Sequence, residues 1–197
     1  SRLKQEMKTM KILPKWQKDL TNLRKTSTET SRNMFVSFAL STLKKSIGLL
    51  PIEEYKEKLD SFVKLYVNLM KSSDNRVAIN TLHVLGKSIK LSLPSIKYYC
   101  RKIINNLFIL FTTSSDSEFM NSLFKCTTEL VRYMKSDLTD YQTGKLVEII
   151  KANLEHYQMQ ANVYGCLKAM IDKKVLSSHI YDIVDIISEK MITHINK

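Results

Sequence analysis

The stretch Leu82-His83-Val84-Leu85-Gly86-Lys87-Ser88-Ile89 decides how this chain is read. Its apolar positions fall at steps of three and four, the spacing that lines one face of an α-helix. The same column recurs on both sides. Leu40, Leu43, Ser46 and Ile47 stand 42 residues before Leu82, Leu85, Ser88 and Ile89. Leu123, Cys126 and Leu130 stand 41 residues after Leu82, Leu85 and Ile89, and a further 41 gives Tyr164, Leu167 and Ile171. A period in this range, with two helices per unit, is the signature of HEAT and armadillo arrays. The expected fold class is all-α: a HEAT/armadillo-like α-solenoid of stacked antiparallel helix pairs.

Working outward, the array is expected over 33–197. It has a partial unit at 33–50, units at about 51–92, 93–136 and 137–175, and a final helix at 176–197. Each unit reads as helix A, a polar turn, then helix B. Helix A of the first full unit runs over 52–71, with Leu59, Phe62, Val63, Tyr66, Leu69 and Met70 on one stripe and Pro51 just ahead of it. Proline is harmless at a first turn, because that N–H has no helical partner. Asn75 opens helix B after the break at 72–74. Pro94 opens the next A helix, which carries Ile96, Tyr99, Cys100, Ile103, Leu107 and Leu110. Ser115 with Glu118, and Thr139 with Gln142, have the spacing of capping boxes. The last B helix is expected to turn Ala161, Tyr164, Leu167, Ala169, Met170 and Ile171 inward. Gly86 and Gly165, inside B helices, are read as points of close helix approach, since each costs about 1 kcal/mol relative to alanine. The final helix carries Ile180, Ile183, Val184, Ile187, Met191 and Ile195 with no partner helix after it.

Composition agrees. Of 197 residues 44% are apolar, enough for a core, while only 4 Gly and 3 Pro occur. That scarcity argues against a sandwich or barrel, which needs many tight turns. Residues 1–32 differ from the rest. They hold nine basic against three acidic groups, half of the net +12. They read as a basic helical arm or a partial repeat: helices over 3–13 and 14–24, a polar linker at 25–31, and Trp16 with Leu13 and Leu20 as a docking point. Ser1 reads as the edge of an excised segment or as the scar of a tag.

The search for chemistry is mostly negative. There is no Gly-rich phosphate loop, no HExxH and no CxxC pair. Cys100, Cys126 and Cys166 are an odd, widely spaced set, read as small buried hydrophobes. The pair Cys166 and His179 has no supporting motif. The four histidines are scattered, and the paired carboxylates Glu53–Glu54, Asp137–Asp140 and Asp182–Asp185 read as helix-end or solvated groups. No enzyme, metal, cofactor, small-molecule substrate or membrane span is expected. The basic residues carry more. Lys45 and Lys87 stand about one repeat apart, as do Arg132 and Lys173, so stacked B helices would set them in a ladder that a phosphate backbone can follow. The competing reading is a solubilising lysine face. Most aromatic residues sit on apolar stripes, which argues against base stacking.

With the repeats laid out, Leu123-Phe124-Lys125-Cys126-Thr127-Thr128-Glu129-Leu130-Val131 and Tyr164-Gly165-Cys166-Leu167-Lys168-Ala169-Met170-Ile171 carry a family resemblance. With Lys173, Lys174, Val175, Leu176, Ile180 and Val184, this segment resembles the very large nucleolar HEAT-repeat component of the small-subunit processome, the family also called down-regulated in metastasis or processome component 20. The resemblance covers 121–191 most distinctively. It implies a non-enzymatic scaffold in small-subunit assembly and pre-ribosomal RNA processing, in the nucleus and nucleolus. The implied partners are processome proteins, with pre-ribosomal or small nucleolar RNA as a further class. It carries over no catalytic residue. The alternative is a HEAT-type scaffold of another pathway, such as a nuclear transport receptor or a kinase or phosphatase scaffold.

Overall fold

The structure, a computed structural model, describes residues 29–49, 51–175 and 178–196. In chain order the helices are α1 (Glu29–Ser46), α2 (Ile52–Ser61), α3 (Val63–Leu69), α4 (Asn75–Lys90), α5 (Ile96–Thr113), α6 (Ser117–Met134), α7 (Asp140–Asn153), α8 (Gln160–Asp172) and α9 (Ile180–Ile195). No strand occurs among the described residues. The fold is all-α, built of HEAT/armadillo-like helix pairs. The expected arm with Leu13, Trp16 and Leu20 lies outside the described residues, although α1 takes in Glu29 to Arg32. The chain forms two compact units, Ser1–Leu110 and Phe111–Lys197.

Short polar side chains set where the helices begin. Free N–H groups of a first turn need acceptors. Asp74 accepts from the Val77 amide at 3.0 Å and starts α4. Thr139 and Gln142 form the expected capping box at α7, with reciprocal bonds of 3.1 and 2.9 Å. At α6 the expected Ser115–Glu118 box is replaced. Asp116, one residue later, is the cap and accepts from the Phe119 amide at 2.8 Å. Its extended backbone aims the carboxylate at the third helical amide, so the helix starts one step further on.

In the first unit the expected A helix over 52–71 is broken at Phe62 into α2 and α3. The stripe survives the break: Leu59, Phe62, Val63, Tyr66 and Met70 are buried. α3 packs on α4, and α4 on α1. The two B helices, α1 and α4, run parallel, because their hydrogen bonds keep a nearly constant offset along them. Asn80 Nδ2 donates to Ser37 Oγ at 2.9 Å, and Lys87 Nζ donates to the Lys44 carbonyl at 2.6 Å. Leu40, Leu43, Ile47, Leu82, Leu85 and Ile89 are all buried. Adjacent A helices are joined too. Asp60 of α2 accepts from both the amide and the hydroxyl of Ser95, at 2.7 and 2.6 Å, and so caps the start of α5 from outside.

In the second unit α6 packs on α8, and α7 on α8. Here the sequence column slips. Ala161, Tyr164 (40% exposed) and Ile171 (50% exposed) face outward, while Val163, Cys166, Leu167 and Met170 are buried. Val163, Cys166 and Met170 lie 40 residues after Leu123, Cys126 and Leu130, so the last step of the repeat is 40, not 41. A one-residue change turns a helix face by about 100°, which is why these three side chains leave the core together. A tight 3₁₀ turn, Tyr157–Met159, connects α7 to α8. On α9 only Ile183 is buried among the described apolar side chains; Val184, Ile187, Met191 and Ile195 are exposed.

Small polar residues let these helices approach. Thr81, Ser88 and Thr128 are buried, and each hydroxyl donates to the carbonyl four residues back, at 2.7, 2.9 and 2.7 Å. Each thereby satisfies its own hydroxyl within its helix while occupying an interface position. Two B helices also end alike. Ser92 (φ 53°) and Lys174 (φ 54°) adopt the left-handed conformation that favours glycine. The next amides, Leu93 and Val175, bond back to Ser88 and Met170, and both side chains are buried, as in a Schellman ending.

Gly165 does not serve close approach, contrary to expectation: a Cβ there meets nothing within 4 Å. Gly144 does, because a Cβ there would lie 3.2 Å from His179 Nε2. Gly165→Ala is therefore expected to raise stability by about 1 kcal/mol in urea unfolding, and Gly144→Ala to give no such gain. A loss on Gly165→Ala would mean the site is tighter than described. The Tyr66 hydroxyl is buried without a hydrogen-bond partner, and burial pushes its pKa upward. Tyr66→Phe removes an unpaired group whose burial costs about 1–3 kcal/mol, so the melting temperature is expected to rise. A fall would show that the hydroxyl has a partner, such as a buried water.

Candidate functional site

Parallel B helices bring their C-terminal ends to the same end of a unit. A helix C-terminus carries free carbonyls and partial negative charge, so cations are stabilised there. In the first unit Lys44 and Lys45 lie in the last turn of α1, and Lys87 and Lys90 in the last turn of α4. In the second, Arg132 ends α6, and Lys173 and Lys174 follow α8.

The four residues singled out by the repeat fall into two kinds. Lys87 is half-buried and engaged, donating to the Lys44 carbonyl; Lys44 Nζ in turn lies 2.9 Å from His83 Nδ1. Arg132 is partly exposed and pairs with Glu129 at 2.9 Å. An exposed pair of this kind contributes little to stability and competes with an incoming anion. Lys45 and Lys173 are exposed. The structure thus brings Lys45 and Lys87 to neighbouring helix ends in one unit, and Arg132 and Lys173 to neighbouring helix ends in the other.

The aromatic reading needs correction. Tyr66 lies on the apolar stripe, but Tyr98, Tyr141, Tyr157 and Tyr181 are strongly exposed. Lys145 Nζ sits 5.9 Å from the centre of the Tyr141 ring, a cation–π contact. Tyr98 stands off the apolar stripe of its helix, on the side of Arg101 and Lys102, and Tyr157 lies in a connecting turn, so spacing did carry a signal that reading the aromatics as mostly core passed over.

No acid–base or nucleophilic constellation assembles among the described residues. Burial pushes the Cys126 thiol from its usual 9 to about 12, with Glu129 adding to the rise. Burial also pushes Cys166 to about 12, against smaller opposing effects of a Thr128 hydrogen bond and the Arg132 charge. Both thiols stay protonated at neutral pH, so neither is an activated nucleophile. No group of three His, Cys, Asp or Glu side chains suited to a metal ion occurs among the described residues. Nor is any described helix long and apolar enough to cross a membrane. A cleft of about 460 Å³ lies between the start of α6 and the 153–159 connection, lined by Ser115, Ser117, His156 and Tyr157. Glu155 at its rim pairs with Lys190 at 2.6 Å. The cleft holds no catalytic pair.

These thiols predict a pH dependence. The unfolded chain releases the Cys126 and Cys166 protons near pH 9, well before the folded chain does near 12. Stability should therefore fall as pH rises through that window, by at most about 1.4 kcal/mol per pH unit for each thiol. Urea unfolding at pH 8 and pH 10 should give a smaller drop for Cys126→Ala/Cys166→Ala than for the parent chain. Equal drops would mean these thiols do not carry the effect. A thiol reagent at pH 8 should label only half-buried Cys100 in the folded chain.

Comparison with known proteins gives two relatives. The chain is 26% identical over 144 residues to U3 small nucleolar RNA-associated protein 20 of Saccharomyces cerevisiae, a match covering 71% of this chain and 6% of that protein. It is 21% identical over 141 residues to the protein of the same name in Schizosaccharomyces pombe, covering 70% of this chain and 6% of that protein. The resemblance carried by the 123–131 and 164–171 segments is borne out. The chain spans about 6% of the length of these curated relatives. No family model matches the chain, and no solved structure matches it.

Proposed function

We propose that this chain is a scaffold segment of a small-subunit processome component. In this reading it holds protein and RNA partners during small ribosomal subunit assembly and pre-ribosomal RNA processing, in the nucleolus, and performs no chemistry itself. The observation that carries the reading is the similarity, over seven-tenths of the chain, to proteins named for association with the U3 small nucleolar RNA. The physical character of the chain supports it. HEAT-type helix pairs offer long surfaces, the net charge is +12, and basic groups gather at the C-terminal ends of parallel B helices. An excess of positive charge favours polyanionic partners and fast, salt-sensitive association. Many transport receptors bind cargo through acidic surfaces of their own, and a chain of net charge +12 does not match that character, which weighs against a transport receptor.

At the B-helix ends of each unit the exposed member does the binding. Lys45 and Lys173 are open to a phosphate, whereas Lys87 is engaged by a helix carbonyl and Arg132 by Glu129. Affinity purification of the tagged parent protein is expected to recover processome proteins with pre-ribosomal RNA. Recovery of nuclear-transport or kinase factors without RNA would overturn the reading. At the residue level, Lys45→Glu/Lys173→Glu should weaken RNA binding and flatten its salt dependence without loss of helix content. Lys87→Glu should lower the melting temperature. Unchanged RNA affinity in the double variant would leave these lysines as solubilising groups.

A further inference from the structure

The outer face of α5 has a composition that the helix itself does not ask for. Inward, α5 buries Ile96, Ile103, Ile104, Asn106, Leu107 and Phe111. Outward, Lys97, Tyr98, Arg101, Lys102 and Asn105 are all exposed. Lys97 and Arg101 are one turn apart, and so are Tyr98 and Lys102. Two short rows therefore run side by side, each rising about 6 Å.

Three features mark this face as built for a ligand. First, the cations are at the wrong end for the fold. Positive charge is disfavoured in the first turn of a helix, where the macrodipole is itself positive, yet Lys97 lies in the first turn of α5, with Arg101 and Lys102 following in the second. The B helices place their bases at the opposite, favourable end. Second, the cations are not neutralised locally. α5 contains no Asp or Glu. Among the described residues no salt bridge or side-chain hydrogen bond engages Lys97, Arg101 or Lys102. Asp60, the nearby carboxylate at the start of the helix, is committed to Ser95. Third, Tyr98 is 81% exposed among them. A solubilising face needs no bare aromatic ring, and leaving one in water forgoes its burial.

We infer that the Lys97–Tyr98–Arg101–Lys102 face of α5 binds single-stranded RNA. Lys97, Arg101 and Lys102 hold the phosphates, and an unstacked base lies on the Tyr98 ring. Positive charge alone would suit any polyanion. The ring narrows the choice to one that also offers flat π faces, and a base inside a duplex is not free to stack on it. The choice of RNA over DNA rests on the function proposed above. The surface itself rests on α5, a different element from the B helices whose ends carry the ladder.

The test is fluorescence anisotropy of the whole chain with a short labelled single-stranded RNA over a range of salt. All the variants are at exposed positions, and circular dichroism checks that helix content is kept. Tyr98→Ala is expected to weaken binding about tenfold, and Tyr98→Phe to leave it unchanged. Lys97→Gln/Arg101→Gln/Lys102→Gln should weaken binding and reduce the salt slope by about 2, roughly 0.7 for each phosphate no longer neutralised. Three outcomes overturn the inference. They are full binding by Tyr98→Ala, equal binding of duplex RNA or oligoglutamate, and binding of single-stranded DNA in preference to RNA. The Lys45→Glu/Lys173→Glu variant separates the two surfaces. If it abolishes binding while Tyr98→Ala does not, the RNA lies on the ladder. If RNA binds through α5 in vitro but purification of the parent protein yields no processome, the processome reading fails and the α5 surface stands.

Discussion

The parallel stacking of B helices is the packing on which the rest of this chain depends. Leu40, Leu43 and Ile47 of the first such helix, with Leu82, Leu85 and Ile89 of the second, are almost wholly shielded from water. Burying a leucine or isoleucine side chain contributes about 1.5–3 kcal/mol, so this seam holds much of the favourable energy of the first unit. Leu123, Cys126 and Leu130 with Val163, Cys166 and Met170 repeat it in the second. Serine and threonine bonded back to their own helices allow the backbones to approach. Asparagine links, Asn80 to Ser37 and Asn162 to Asn121, fix the register where apolar packing alone would tolerate sliding.

Parallel stacking has an electrostatic consequence. It collects helix C-termini, and their free carbonyls, at one end of each unit. Lysine and arginine there serve the fold first, and the Lys87 bond to the Lys44 carbonyl shows how directly. Basic residues at B-helix ends are therefore ambiguous evidence for a nucleic-acid partner. Those that also answer a structural need say less than those that do not. The cations at the start of α5 belong to the second kind, since none of them serves a helix C-terminus and none pairs with a carboxylate among the described residues.

The A helices contribute through their outer faces and their starts. Asp60 capping Ser95 joins one A helix to the next with a charged acceptor, so the start of α5 is held firmly while its outer face stays in water. Rigid support under an exposed set of side chains is what a scaffold surface requires, because little ordering is then left to be done on binding.

Periodicity in the sequence determined the all-α class, the pairing of helices, the positions of most buried residues through Met134, and the cap at Thr139. Each of these follows from local spacing, because a helix face is fixed by steps of three and four and a cap by the residues beside it. Tertiary structure decided the phase of α8, where a repeat step of 40 in place of 41 put Tyr164 and Ile171 outward and Val163 and Cys166 inward. It also decided that Gly144, not Gly165, admits a neighbour, and that Lys87 is engaged while Lys45 is open. Spacing along a chain cannot report what lies across the gap from a residue. Tyr98 stands off the stripe of Ile96, Ile103 and Leu107, and only the packed helices show that no neighbouring element covers it.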